Sequence, residues 1–80
     1  MVRLRFVFRN ASSRPVPIFV EPWAETVSIE PDTDAEISCD SVDPDVPLYL
    51  GVADDCVIIN DMGPSVRIHY KGKEYSFVES

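Results

Sequence analysis

The chain has 80 residues, with 14 acidic and seven basic side chains, three glycines, seven prolines and two cysteines, for a formal net charge of −7. That length holds one hydrophobic core, and a composition with 45% apolar residues excludes collagen, coiled coil and general disorder. No apolar run approaches the ~20 residues of a membrane-spanning helix, and Met1-Val2-Arg3-Leu4-Arg5 places charge where a secretory leader needs an unbroken apolar stretch. The expectation is a cytoplasmic protein that makes no membrane contact.

Alternation with a period of two runs through most of the chain and predicts strands. Val2, Leu4, Phe6 and Phe8 fall on one side of the first segment, with Arg3, Arg5, Val7 and Arg9 on the other. Residues 10 to 15 carry turn chemistry, with Asn10 as a turn former rather than a glycosylation acceptor. Val16, Ile18 and Val20 then alternate with Pro17, Phe19 and Glu21, and the proline suggests an edge strand or a bulge. Glu21-Pro22-Trp23-Ala24-Glu25 breaks the pattern before a strand at Val27 and Ile29. Pro31-Asp32-Thr33-Asp34 reads as a turn, followed by a fourth strand with Ala35, Ile37 and Cys39 on one side. A loop over 40 to 47 leads to Leu48-Tyr49-Leu50-Gly51-Val52, Asp54-Asp55 punctuates, and Cys56-Val57-Ile58-Ile59 reads as a strand buried on both faces. After a turn or short crossover at Asn60 to Pro64, runs from Val66 to Tyr70 and from Glu74 to Val78 flank Lys71-Gly72-Lys73, the strongest hairpin signal in the chain.

Seven or eight short strands without a helix predict a single all-β domain over residues 1–80, a small antiparallel β-sandwich or a partly closed barrel. The predicted core is Leu4, Phe6, Phe8, Ile18, Val20, Val27, Ile29, Ile37, Leu50, Ile58, Val66, Ile68, Tyr75 and Phe77. Cys39 and Cys56 read as small buried apolar side chains in a reducing compartment, a disulfide being the alternative for a secreted chain.

Charge is sorted along the chain. Residues 1 to 20 hold four arginines and no acid, residues 21 to 62 hold twelve acids and no base, and residues 63 to 80 hold three bases and two acids. If the first and last strands share a sheet, Arg3, Arg5, Arg9, Arg67, His69 and Lys71 share its solvent face. That cationic face is either an ordinary solvated sheet surface, offset by Glu74 and Glu79, or a docking surface for an acidic protein partner or another copy of the chain. Nucleic acid is a weaker partner, because the whole molecule is acidic and carries no recognised binding motif. Trp23 either closes one end of the core or, together with Phe19, marks an exposed binding patch.

Little in the sequence points to catalysis. His69 is the single histidine and stands between Arg67 and Lys71, with no nucleophile signature such as G-x-S-x-G. Blue copper needs two histidines, and zinc through Cys39, Cys56, His69 and a carboxylate lacks a C-x-x-C pair. The hard oxygen ligands Asp32, Asp34, Glu36, Asp43, Asp45, Asp54 and Asp55 leave calcium as an alternative, without the glycine-containing EF-hand loop. Gly51, Gly63 and Gly72 stand too far apart to cradle a phosphate, and Pro22 keeps Glu21 and Glu25 from sharing a helical turn. No cofactor is expected. The leading expectation is a non-enzymatic interaction module, with a small-ligand or calcium-binding domain as the alternative.

Asn10, Ser12, Pro15, Glu21-Pro22-Trp23 and Ile29-x-Pro31-Asp32 together resemble a group of short bacterial proteins of unknown function, which share an N-x-S-x-x-P stretch and a strand ending in E-P-W. The resemblance covers residues 6 to 37 and, weakly, the final hairpin, and Asp32 stands where the pattern has glycine. It implies no activity. Phe8-x-Asn10-x-Ser12 and Pro31-Asp32-Thr33 are also similar in layout to the start of the von Hippel-Lindau β domain, a peptide-binding sandwich, and no binding residue carries across.

Overall fold

The computed structural model describes residues 2–60 and 65–78, with the backbone alone at residues 41 and 42. Its elements are β1 (Val2–Arg9), β2 (Val16–Val20), β3 (Glu25–Ile29), β4 (Asp34–Val42), β5 (Tyr49–Val52), β6 (Val57–Asn60), β7 (Ser65–Tyr70) and β8 (Lys73–Val78). They form two four-stranded sheets, ordered β1-β4-β7-β8 and β3-β2-β6-β5. The fold is the all-β sandwich that the alternation predicts. Among the described pairings one runs parallel, β2 against β6, with Ile18, Val20 and Phe19 opposite Val57, Ile59 and Ile58 respectively.

The apolar phases of both sheets meet in the middle. Ile37, Cys39, Val66 and Ile68 from the first sheet and Ile18, Val20, Val27, Ile29, Val57 and Ile59 from the second are buried. Each fully buried isoleucine contributes about 2 to 3 kcal/mol of transfer free energy. Leu4, Phe6, Phe8, Tyr75 and Phe77 pack against this cluster from the outer strands of the first sheet and stay half-buried.

Two polar contacts tie the sheets together at one end. Asn10 is buried; its Nδ2 donates to the carbonyls of Arg14 and Ile29 at 2.7 and 2.8 Å, and its Oδ1 accepts from the Ser12 amide and hydroxyl. The backbone of Asn10 also bonds Thr33 and Asp32, so the β1 to β2 crossover is stitched to the β3 to β4 turn. Tyr70 of β7 supplies the second contact, its hydroxyl accepting from the Glu30 amide at 2.7 Å beside Thr33. At the opposite end Trp23 is half-buried, its ring 6.0 Å from that of Phe77 and its Nε1 donating to the Val78 carbonyl at 3.2 Å. These contacts place β3 over β7 and β8, and leave β5 on the side of β1.

Several expectations are corrected. The segment from Val16 to Val20 is not an edge; it lies between β3 and β6. Its proline is accommodated because the ladder to β6 begins at Ile18, one residue beyond Pro17. The β6 run has no alternation to fix its phase, and Ile59 rather than Ile58 faces the core. Leu50, opposite Ile59, is 57% exposed because β5 overhangs the edge of the sandwich. The β7 to β8 hairpin closes on Lys71 (φ 50°) and Gly72 (φ 76°), the two positive dihedrals of a type I′ turn. Lys71 therefore sits in the turn, outside the strand phase expected for it. Asn60, the first residue of the expected turn or crossover at Asn60 to Pro64, ends β6; the rest of that turn, and Glu79, lie outside the described residues.

Candidate functional site

The two outer faces differ in kind. On the first sheet, β4 inserts between β1 and β7, and its outward phase is acidic: Asp34, Glu36 and Asp40 around Ser38. Arg9 pairs with Asp34 at 2.9 Å, Arg5 with Glu36 at 3.0 Å, and Asp40 takes both Arg3 at 2.8 Å and Arg67 at 2.9 Å. His69 meets Glu74 at 2.6 Å. The expected cationic residues are thus brought together, apart from Lys71 in its turn, with β4 supplying acids to the four arginines and Glu74 of β8 meeting His69. Arg3 donating to Asp40, helped by the charge of Arg67, holds the Asp40 carboxyl below its usual pKa. A shallow depression lined by Arg3, Arg5, Glu36, Ser38, Arg67 and His69 marks the centre of this face. Arg67 Nε is buried there without a hydrogen-bond partner.

The outer face of the second sheet carries no charge. Thr26 and Ser28 of β3, Pro17 and Phe19 of β2, Ile58 and Asn60 of β6, and Tyr49 and Gly51 of β5 form its rows by register. Phe19 and Ile58 are half-buried at its centre and Tyr49 is exposed. Val46, Leu50 and Val52 extend the exposed apolar surface along the β5 side. Acids rim it: among the described residues Glu21, Glu25, Glu30, Asp32, Asp43, Asp45 and Asp54 make no ion pair, and the chain has no Lys, Arg or His between Arg14 and Arg67.

A cleft of about 280 Å³ opens beside the end of β5, lined by Phe8, Val16, Val52, Cys56 and Val57 with Arg14 and Asp55 at its mouth. Arg14 and Asp55 are 3.7 Å apart and highly exposed. Cys56 is a half-buried thiol. Cys39 is a thiol in the core, where burial and the neighbouring Asp40 push its pKa up to about 11.

The acidic positions do not converge. Asp34 and Glu36 lie on β4 among the arginines, Asp32 in the preceding turn, Asp43 and Asp45 in an Asx turn, and Asp54 and Asp55 in the β5 to β6 turn. The described residues hold no group of three or more His, Cys, Asp or Glu placed for a metal ion. Trp23 stands at the end of the core opposite Asn10, where its contacts with Phe77 and Val78 make it the plug of that end.

Sequence reasoning assigned Leu50 and Ile58 to the core and singled out neither Tyr49 nor Val52 as a surface residue. The signal available was the long stretch without a base, within which Tyr49-Leu50-Gly51-Val52 has no charged residue. No helix among the described residues is long and apolar enough to cross a membrane. No family model, curated protein or solved structure matches the chain.

Proposed function

We propose that the protein is a non-enzymatic interaction module that docks a protein partner on the outer face of its second sheet. The observation that carries this reading is the contrast in charge: the arginines of the first face are engaged by β4, whereas the second face is uncharged, partly apolar and rimmed by acids. Interface centres are depleted in charge and enriched in aromatic residues, and an acidic rim selects a partner whose apolar patch is surrounded by Lys and Arg. Self-association through this face is opposed by the net charge of −7. The calcium alternative draws no support from acids dispersed over several loops and β4. The cytoplasm is the proposed site of action, a compartment in which thiols such as Cys39 and Cys56 persist.

The test compares two variants as baits in affinity capture at low and high salt, with captured proteins identified by mass spectrometry. One carries Phe19→Glu and Ile58→Glu; the other carries Arg3→Gln, Arg5→Gln and Arg67→Gln. A basic, salt-sensitive partner held by wild type and by the arginine variant, and lost from the Phe19/Ile58 variant, is the expected result. Loss from the arginine variant alone overturns the assignment to the second sheet.

A further inference from the structure

We infer that β5 is a strand-acceptor edge, which takes up an extended segment of the partner protein whose apolar residues alternate and whose ends carry Lys or Arg. This deepens the interaction reading and rests on it. Free sheet edges invite pairing with another chain, and folded proteins blunt them with charge, bulges or proline. Among the described strands, the β1 and β8 edges are blunted, and the β3 edge only at its start. β1 carries Arg3, Arg5 and Arg9 and an irregular register between Val2 and Leu4, β8 carries Lys73 and Glu74, and β3 begins at Glu25. β5 consists of Tyr49, Leu50, Gly51 and Val52, without charge or proline.

Its free groups point the right way. The Ala53 amide donates to the Cys56 carbonyl at 3.0 Å, so that pair is hydrogen-bonded. Because hydrogen-bonded pairs alternate along an antiparallel ladder, the amides and carbonyls of Leu50 and Val52 face away from β6, toward the open edge. The side chains of the same two residues are on the core phase yet 57% and 82% exposed. An added strand would satisfy those backbone groups and cover Leu50 and Val52. Its residue beside Val52 would reach the cleft between Phe8, Val16 and Val57, the arrangement in which ladder bonds give affinity and a pocket gives selectivity.

Charge decides the occupant. Asp43 and Asp45 precede the strand and Asp54 and Asp55 follow it. A second copy paired through its own β5 would oppose acid to acid in either direction, whereas a segment with basic ends meets Asp43 and Asp45 at one end and Asp54, beside the Arg14–Asp55 pair, at the other.

The test pans a displayed library of random nine-residue peptides against the whole protein, then titrates the enriched peptides into isotopically labelled protein. The expected peptides alternate apolar residues between basic ends, shift the amides of residues 49 to 53, and bind at least tenfold more weakly to Val52→Pro and to Leu50→Lys than to Val52→Thr. The Leu50→Lys variant keeps the test valid if Val52→Pro does not fold. No enrichment, or equal binding to the folded edge variants, overturns the edge assignment. Shifts centred on Phe19 and Ile58 with the edge variants unaffected overturn it while sparing the docking face, and shifts confined to Arg3, Arg5 and Arg67 overturn both.

Discussion

The two sheets have inner faces built alike and outer faces built by opposite rules. Inside, both central strand pairs bury isoleucine and valine, the first sheet adding Phe6, Phe8, Tyr75 and Phe77 from its outer strands, and neither sheet dominates the core. Outside, the first sheet places an acidic strand between two basic ones, while the second keeps its outward rows uncharged and holds its acids at strand ends and in the loops. The difference shows that the net charge of −7 says little about any one surface: the excess sits around the second sheet, and the first is close to balanced.

The symmetry of the interior can be broken deliberately. Ile37→Ala in the first sheet and Ile59→Ala in the second each remove a buried side chain and are expected to cost about 2 to 5 kcal/mol in chemical denaturation. A cost below 1 kcal/mol for one of them would mean that its sheet is not packed as described. Asn10→Ala tests the stitch between sheets. It strands the carbonyls of Arg14 and Ile29 and is expected to lower stability by about 2 kcal/mol, the scale of a buried polar group left without its partner.

A pair of glycines sharpens the contrast further. Gly72→Ala forces a side chain into φ 76° and is expected to cost about 1 kcal/mol, although open space surrounds the site. Gly51→Ala places its Cβ at ordinary contact distance, 3.8 Å from that of Ile58, and is expected to change stability by less than about 0.5 kcal/mol.

The smallest effects belong to the paired face. Arg5→Gln is expected to cost between about 0.2 and 1 kcal/mol, and less in high salt, since both partners are well exposed. Asp40 gives that face an acid limit. Its folded pKa is depressed by Arg3 and Arg67, so the stability it contributes is present above the ordinary carboxylate pKa and fades as pH falls through the folded value. Carboxyl-detected NMR titration should place Asp40 below an unperturbed aspartate, and Asp40→Asn should soften the acid limb of the stability profile.

What the sequence made legible was periodicity. The strands and their inner phases follow from residues such as Phe6, Ile29, Ile37 and Ile68, whose neighbours alternate in polarity. Strand order was not legible, because pairing joins residues far apart in sequence. Arg5 reads as a free cation until Glu36, 31 positions away, is found beside it. Phase was illegible where alternation stops: the run Val57-Ile58-Ile59 is apolar throughout, and Leu50 has a core residue's chemistry on a strand that overhangs the core. The role of Asn10 was hidden for a similar reason, since its amide closes bonds to a residue 19 positions away. Part of the candidate interaction surface lies there: Leu50 and Ile58 were assigned to the interior by type alone, whereas Phe19 was already a candidate for an exposed patch.

The most direct measurement maps the near-surface electrostatic potential by NMR, comparing relaxation enhancement from a cationic and an anionic paramagnetic cosolute at every resolved proton. Near-equal enhancements are expected over Arg5, Ser38 and Arg67, and a strong preference for the cationic probe around β5 and the rim of the second sheet. A marked preference for the anionic probe over Arg3, Arg5 and Arg67 would contradict that expectation, and would return the docking surface to the first sheet.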